Sequence, residues 1–381
     1  MISDGMPVNI HNCRSCHRET GHVVLDLGSQ PACDYFPPAD DPGPDPVYPL
    51  QMWLCAHCGL AQLVDDPTVP EEPRGTEPAA LVRQAADAVA RVAAAGLLPA
   101  RARVAEYGSP HGGSWLGLLA DRGLQPVDGT AEADVILDCF GMMHEVDQST
   151  ALAERATRLA PGGVLLLQYH SLETIIRLGQ WNALRHGHYA YYSTTALSAM
   201  LAAVGFSPRT AWHFDLYGGS LLVAARRDGD VPGTSDETIE AVLAAEERTG
   251  VCDPDVLRGL QQDVRARASA LHGWLVQSAA AGRTVLGYGA ASRAVALLRK
   301  AEVDSELLPA VADASPAKHG LRMPGTTIPV ISPTELTARR PDEVALFVSD
   351  LMAEVRATYP EIEACGGHWV DADALGLSHR N

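Results

Sequence analysis

Two Cys-x-x-Cys pairs near the start of the chain constrain its fold more than any other feature. Cys13 and Cys16 form the first pair and Cys55 and Cys58 form the second, with 38 residues between the inner cysteines. Each such turn can point two thiolates at one place, so two turns complete a tetrahedral shell around Zn²⁺. We therefore predict a structural zinc site with four thiolate ligands. Redox-active or free thiols are the alternative.

Composition divides the chain into three parts. Residues 1–75 carry proline clusters at 37–46 and 66–73, which exclude long helices because proline lacks an amide hydrogen and fixes φ. From about residue 76, apolar strands alternate with helices, which is typical of a mainly parallel sheet. We predict an α/β chain with a zinc module at 1–75, a Rossmann-like domain at 76–228, and helices followed by a second Rossmann-like domain at 229–381.

Charge and hydropathy restrict the possible partners. The sequence has 47 acidic and 29 basic residues and a formal net charge of −18. Such a surface repels phosphate backbones and anionic lipids, so nucleic acids and membrane surfaces are poor partners. The sequence shows neither a signal pattern nor an apolar run of about 18 residues. We expect a cytoplasmic monomer or homodimer that binds a small molecule.

A glycine-rich turn follows the first predicted strand of the central domain. Glu106, Gly108, Ser109 and Gly112 lie in EYGSPHGG, between a strand and a helix. Class I methyltransferases have such a turn where the backbone approaches the methionine part of S-adenosylmethionine. Asp128 follows 22 residues after Glu106, where a carboxylate could accept hydrogen bonds from both ribose hydroxyls. These residues predict a cradle for S-adenosylmethionine.

The order of the motifs resembles that of the sugar C-methyltransferases. The chain combines the paired Cys-x-x-Cys module, the turn at 106–112, HYAYYS at 188–193, and GYGAA followed by PGTTIPV near the C-terminus. The resemblance covers essentially the whole chain. It implies a class I methyltransferase-like central domain, a Rossmann-like C-terminal domain, and zinc and S-adenosylmethionine as cofactors. It also implies a nucleotide-linked keto-deoxysugar as substrate, as in antibiotic biosynthesis, and methylation of an enolate formed by a histidine.

Two histidines in the polar and aromatic segment 181–193 are candidate bases. Histidine titrates near neutral pH and can remove a proton next to a carbonyl group. His188 stands where the family has its general base and is the first candidate, and His186 is the second. The alternative for each histidine is a hydrogen-bonded structural role in an aromatic core.

Further side chains could assist this chemistry. The planar guanidinium of Arg185 could hold a phosphate or enolate oxygen, and Tyr191 and Tyr217 could donate to a developing oxyanion. His144 follows an apolar strand where the family covers its cofactor. The alternative for His144 is a polar residue at a helix start.

The C-terminal domain contains a second glycine turn. Gly289, Ser292 and Arg293 lie between a strand and a helix, where exposed amides can bind a phosphate. By resemblance, this turn and Lys318 hold the nucleotide of the sugar substrate. The alternative is a scaffold domain with ordinary strand–helix turns.

The sequence also departs from the family pattern. Ser109-Pro-His-Gly112 replaces Ser-Asn-Asp-Gly, and Arg185-His-Gly-His188 replaces Tyr-x-Glu-His. Only five residues separate Asp128 from the next strand at Asp134. Two rival functions therefore stay open: an epimerase or tautomerase of keto sugars that needs no methyl donor, and a non-catalytic sugar-nucleotide-binding protein.

Overall fold

The structure is a computed structural model that describes residues 11–41, 43–68, 77–109, 113–227 and 235–376. Its strands are β1 (Gly21–Pro31), β2 (Val47–Cys55), β3 (Ala61–Leu63), β4 (Arg103–Gly108), β5 (Gln125–Pro126), β6 (Ala133–Cys139), β7 (Leu159–His170), β8 (Ala190–Tyr191), β9 (Phe206–Phe214), β10 (Ser220–Arg227), β11 (Val285–Tyr288), β12 (Val311–Ala312), β13 (Val330–Ile331), β14 (Glu343–Leu346) and β15 (His368–Asp371). Its α-helices are α1 (Ala79–Ala94), α2 (Leu116–Ala120), α3 (Gln148–Arg158), α4 (Leu172–Arg177), α5 (Thr194–Ala203), α6 (Glu237–Thr249), α7 (Pro254–Arg258), α8 (Leu260–Ala280), α9 (Ser292–Lys300), α10 (Pro333–Arg339), α11 (Met352–Thr358) and α12 (Glu361–Ala364).

The N-terminal sheet is antiparallel and has the order β1-β2-β3-β8. Its last strand comes from the segment that was predicted to carry the base. Ala61 pairs with Tyr191, and Gln62 pairs with Ala190. The candidate catalytic segment is therefore hydrogen-bonded directly to the N-terminal module.

The central sheet has the order β5-β4-β6-β7-β10-β9. Strands β5, β4, β6 and β7 run parallel, and β10 runs antiparallel to both of its neighbours. The inner strands are apolar and buried because α1 and α2 cover one face, whereas α3 and α5 cover the other. The carboxyl ends of β4, β6 and β7 consequently lie at one edge of the sheet.

The C-terminal sheet is parallel throughout and has the order β13-β12-β11-β14-β15. After β11 the chain adds β12 and β13 on one side of it, and it then adds β14 and β15 on the other side. The switch point of this Rossmann-like sheet therefore lies between the ends of β11 and β14. The predicted α/β class, with a cysteine module and two Rossmann-like sheets, is confirmed.

A buried ion pair fixes the N-terminal module to the C-terminal domain. Arg322 Nη1 and Nη2 donate to Asp45 Oδ2 and Oδ1 at 2.7 and 2.5 Å, and the two side chains are 4% and 5% exposed. The Gly325 amide donates to the same carboxylate at 2.6 Å. One apolar core also joins the two parts and includes Leu27 of β1 and Leu297 of α9. Among the described residues, no helix is both long and apolar enough to cross a membrane.

Candidate active site and zinc site

The four cysteines predicted to bind zinc converge on one point. Their Sγ atoms all lie within 4.8 Å of one another, with 3.5 Å between those of Cys13 and Cys58 and 3.6 Å between those of Cys16 and Cys55. The Cys16 amide also donates to Cys13 Sγ at 3.5 Å, which favours the thiolate. Four sulfur ligands close a tetrahedral shell, so zinc bound here is structural.

A cavity of about 320 Å³ lies between the central and C-terminal sheets. Ser109 after β4, Cys139 at the end of β6 and His170 at the end of β7 line one side. Ala291 after β11 and Ser349 after β14 line the other. Open α/β sheets bind ligands outside the carboxyl ends of their strands, at switch points. The two Rossmann-like sheets thus share one cavity.

The turn after β4 fits the methyl donor predicted for it. A Cβ atom added at Gly108 would find its nearest atom, the Gly113 carbonyl oxygen, 4.0 Å away, so packing does not require glycine there, whereas a ligand close to the backbone would. Glu106 holds the turn because its carboxylate accepts hydrogen bonds from Ser114 Oγ at 2.5 Å and from the Trp115 amide at 2.7 Å. Ser109 and Gly113 line the cavity.

Of the six predicted cofactor residues, Ser109 and His144 line the cavity, whereas Glu106 and Gly108 of β4 do not. Two more are not placed there either. Gly112 lies outside the described residues. Asp128 follows β5 and is not among the residues that line the cavity. Its contact with a ribose therefore stays a prediction.

A buried ion pair organises the loop after β6. Asp138 accepts a hydrogen bond from Arg155 Nε at 2.6 Å and two more from backbone amides of the loop, and both side chains are 1% exposed. The loop brings His144 to the cavity wall, where its Nδ1–H donates to the Gly187 carbonyl at 2.8 Å. The His144 ring meets the His188 ring edge-on, with centroids 4.7 Å apart. The predicted cofactor residue His144 and the candidate base His188 are therefore in contact.

His188 and Arg185 form the centre of the site. His188 is 8% exposed and lines the cavity. Arg185 Nε donates to His188 Nε2 at 2.7 Å, and its Nη1 donates to Ser292 Oγ and lies 3.6 Å from Asp34 Oδ1. Tyr191 OH accepts from the Arg185 amide at 3.0 Å, and burial raises the pKa of this phenol well above its ordinary value. The site thus combines residues from all three predicted parts.

His186 and Tyr217 stand apart from this centre. His186 is 2% exposed, donates from Nε2 to the Pro49 carbonyl at 3.1 Å, and packs edge-on against Tyr48. It does not line the cavity, and its environment is that of the structural alternative. Tyr217 lies in the 3-10 turn Leu216–Gly218, and the position of its side chain is outside what the structure describes.

The predicted nucleotide residues differ in their positions. Ser292, Arg293 and Lys318 line the cavity. Lys318 Nζ donates to the Ala290 carbonyl at 2.8 Å and so holds the turn after β11. Gly289 has φ +93°, and a Cβ there would lie 2.9 Å from Val348 Cγ2. The positive φ and the close packing together explain this glycine without a ligand.

The structure adds residues that sequence reasoning did not select. His170 is the last residue of β7, and its ring lies 4.8 Å from that of Phe140 and 6.4 Å from that of His188. The position of His170 at the end of an apolar strand, where open α/β sheets bind ligands, could have identified it from the sequence. Asp34 and Asp350 belong to no motif. Burial raises the pKa of Asp350, and the charge of the nearby Arg293 offsets part of this rise.

Family models match the chain in three consecutive regions. Residues 13–72 match a zinc binding domain, residues 79–211 match a methyltransferase domain, and residues 215–372 match the C-methyltransferase C-terminal domain. The chain is also 25% identical to C-methyltransferase NovU of Streptomyces niveus over 408 residues, which covers 95% of each protein. The predicted family, the zinc site and the methyltransferase class are confirmed.

Solved structures give weaker similarities. A magnesium protoporphyrin IX methyltransferase of Synechocystis with bound S-adenosylhomocysteine is 13% identical, with a TM-score of 0.29 over 39% of this chain and 84% of that one. A Burkholderia thailandensis 1,6-didemethyltoxoflavin N1-methyltransferase is 17% identical, with a TM-score of 0.28 over 45% and 96%. With its zinc module, its methyltransferase domain and its C-methyltransferase C-terminal domain in this order, the chain belongs to the three-domain C-methyltransferases.

Proposed function

We propose that this methyltransferase transfers a methyl group from S-adenosylmethionine to a carbon of a nucleotide-linked keto-deoxysugar or a related polar metabolite. The strongest support is the cavity that joins the carboxyl ends of the parallel strands of the central and C-terminal sheets and has His188 on its wall. The reaction needs one site for the donor and one for a nucleotide-linked acceptor. Edges of Rossmann-like sheets suit both.

The cavity offers a place for each reactant. The turn at Ser109 would hold the donor beside the central sheet, whereas Ser292 and Arg293 would bind the nucleotide part of the acceptor. A second cavity of about 370 Å³ adjoins the first and shares Arg293, Ser349 and Asp350 with it. This extension supports an acceptor longer than a sugar alone.

The reaction requires an electron-rich carbon next to a ketone. His188 takes a proton from that carbon: the C–H bond breaks, its electron pair stays on the substrate as an enolate, and the proton bonds to the imidazole. When bound, S-adenosylmethionine supplies the methyl group that the enolate carbon takes up as the sulfur–methyl bond breaks. His188 then returns its proton to solvent.

The contact with Arg185 defines the protonation state of His188. A guanidinium can only donate, so His188 Nε2 accepts, and the neutral ring carries its hydrogen on Nδ1. A neutral imidazole is the form that a base requires, and its Nε2 lone pair can take the substrate proton once Arg185 releases it. We assign to Arg185 the further role of binding the enolate oxygen once the substrate is present, because its fork can serve two acceptors.

The test uses the full chain with zinc, S-adenosylmethionine and a nucleoside diphosphate 4-keto-deoxysugar in deuterated water. We expect a product with one added methyl group, and His188→Gln should lower the rate by about 10²–10⁴-fold, the usual contribution of a general base. His186→Gln is the matched control, because the glutamine amide can replace the donor to Pro49 and the site faces away from the cavity.

Other outcomes would point elsewhere. Deuterium incorporation without methyl transfer would favour the epimerase or tautomerase. Binding of the sugar nucleotide without exchange or transfer would favour the non-catalytic protein. Equal rates for His188→Gln and the unmodified enzyme would reject His188 as the base.

A further inference from the structure

The segment that carries His188 rests on the N-terminal module through two aspartates. Asp66 Oδ2 accepts from the Gly187 amide at 2.5 Å, which fixes the backbone of the turn. Asp34 lies close to the turn at residues 185–188, because a Cβ atom added at Gly187 would lie 3.9 Å from Asp34 Oδ2. That separation is an ordinary van der Waals contact, so the φ of +81°, and not crowding by Asp34, is what favours glycine at 187. The module therefore contacts both the backbone of the turn and the side chain of Arg185.

Asp34 is held in a defined position. It is 8% exposed, and its Oδ1 accepts from Cys33 Sγ at 3.4 Å. The same oxygen lies 3.6 Å from Arg185 Nη1. A buried carboxylate placed beside a buried guanidinium stabilises its charge and limits the directions in which it can move.

Proton uptake by His188 creates an electrostatic problem that Asp34 can reduce. Arg185 Nε lies 2.7 Å from His188 Nε2, so protonation of the ring places two cations side by side in a poorly solvated site. Like charges at this distance repel strongly when water is excluded. The Asp34 carboxylate, which lies near Nη1 of the guanidinium, offsets the added charge and gives Arg185 a partner when it leaves the imidazole.

We infer that Asp34 is a positioning residue that holds Arg185 and lowers the cost of proton transfer to His188. This inference rests on the proposed function, because it concerns the step in which His188 removes the substrate proton. It gives the N-terminal module a part in turnover beyond its structural zinc.

The test measures proton removal apart from methyl transfer. The holoenzyme is incubated with the 4-keto-deoxysugar nucleotide in deuterated water, with S-adenosylhomocysteine in place of the donor, and deuterium incorporation is followed at saturating substrate. Asp34→Asn should lower the exchange rate by about 10- to 100-fold, less than loss of the base itself. Substrate affinity, measured by calorimetry on the same sample, should change little.

Two variants separate positioning from folding. Asp34→Glu keeps the carboxylate and should recover a large part of the rate. Asp40→Asn removes an exposed aspartate from the same loop and should exchange at the unmodified rate. Rates are expressed per substrate-binding site, so a loss of folded protein does not imitate the effect.

The failures can be told apart. No exchange by the unmodified enzyme would count against the proposed function. Normal exchange by the unmodified enzyme, together with an unchanged rate for Asp34→Asn, would overturn the role of Asp34. A slower Asp34→Asn that Asp34→Glu fails to rescue would also overturn it.

Discussion

Two arginine–aspartate pairs join the N-terminal module to other parts of the chain, and they use the arginine differently. Arg322 binds Asp45 with both terminal nitrogens, at 2.7 and 2.5 Å. Burial opposes ionisation of Asp45, but hydrogen bonds from Arg322 and Gly325 outweigh it and hold the pKa of Asp45 below its ordinary value. In contrast, Arg185 is divided between His188, Ser292 and an aspartate 3.6 Å away.

The difference separates a structural pair from one that can take part in chemistry. Arg322 donates from both terminal nitrogens to one carboxylate inside a closed interface. No substrate can reach it there, so release of the carboxylate would only destabilise the fold. Arg322 also donates to the Asp41 and Thr326 carbonyls at 3.1 Å, so all its partners lie at this interface. Arg185 instead lies at a cavity wall, where it can exchange one partner for a substrate oxygen. We therefore expect Arg322 to contribute mainly to the free energy of unfolding and Arg185 mainly to turnover.

Loss of zinc should produce the largest effect, because the module carries the aspartates of both pairs. Structural zinc contributes about 10–16 kcal/mol in zinc-finger peptides. Cys58→Ser should therefore lower zinc content, denaturant midpoint and turnover together, as seen by metal analysis, denaturant unfolding and methyl transfer. Cys365→Ser changes an exposed cysteine far from the cluster in sequence and should leave all three unchanged. Full turnover by zinc-free protein would contradict this coupling.

Removal of Arg322 should come next and should affect stability alone. Arg322→Met leaves a buried carboxylate without its cation, which costs about 3–5 kcal/mol of unfolding free energy. Denaturant unfolding measures this loss, and kcat at low temperature should stay near that of the unmodified enzyme. Arg339→Met, which breaks an exposed pair with Glu335, should cost no more than about 1 kcal/mol. A large fall in kcat in folded Arg322→Met would remove the distinction between the two pairs.

The sequence predicts those features that depend on local pattern. The spacing of Cys13, Cys16, Cys55 and Cys58 follows from the geometry of one tetrahedral ion, so their convergence could be predicted. The alternation of apolar strands and helices predicts the two Rossmann-like sheets, because parallel strands need a helical connection between them. His188 could be proposed because its neighbours in sequence also resemble the family segment. In each case the information lies within a few tens of residues.

Other features depend on docking between distant segments and leave no local pattern. Asp34 meets Arg185, and Asp45 meets Arg322, only after the module has packed against the other domains. Strand β8 has two residues, too few for a period-2 pattern, yet it carries the candidate catalytic segment into the N-terminal sheet. Sequence periodicity reports which face of an element is buried, but it does not report what covers that face.

Arg185→Lys tests whether the fork, and not the charge alone, matters at the cavity. Lysine keeps the cation but cannot serve His188 and Ser292 with two planar donors. We expect kcat to fall about 100-fold, equivalent to about 2.7 kcal/mol in activation free energy, with a small change in unfolding free energy. Steady-state kinetics and denaturant unfolding on one preparation measure both quantities. A stability loss as large as that of Arg322→Met, with kcat preserved, would make the two arginines equivalent.

The smallest effect is expected at Ser292, which joins Arg185 to the C-terminal domain. Ser292→Ala removes one hydrogen-bond acceptor from the guanidinium, and such a bond contributes about 1 kcal/mol. We expect kcat to fall about five-fold while Arg185 keeps its contacts with His188 and Asp34. Ser292→Thr retains the hydroxyl and should behave like the unmodified enzyme in the same kinetic assay. If Ser292→Ala instead matched Arg185→Lys, the C-terminal domain, and not the N-terminal module, would be the main support of the arginine. Ser292 would then hold Arg185 in place more strongly than Asp34 does, which is the reverse of what we infer.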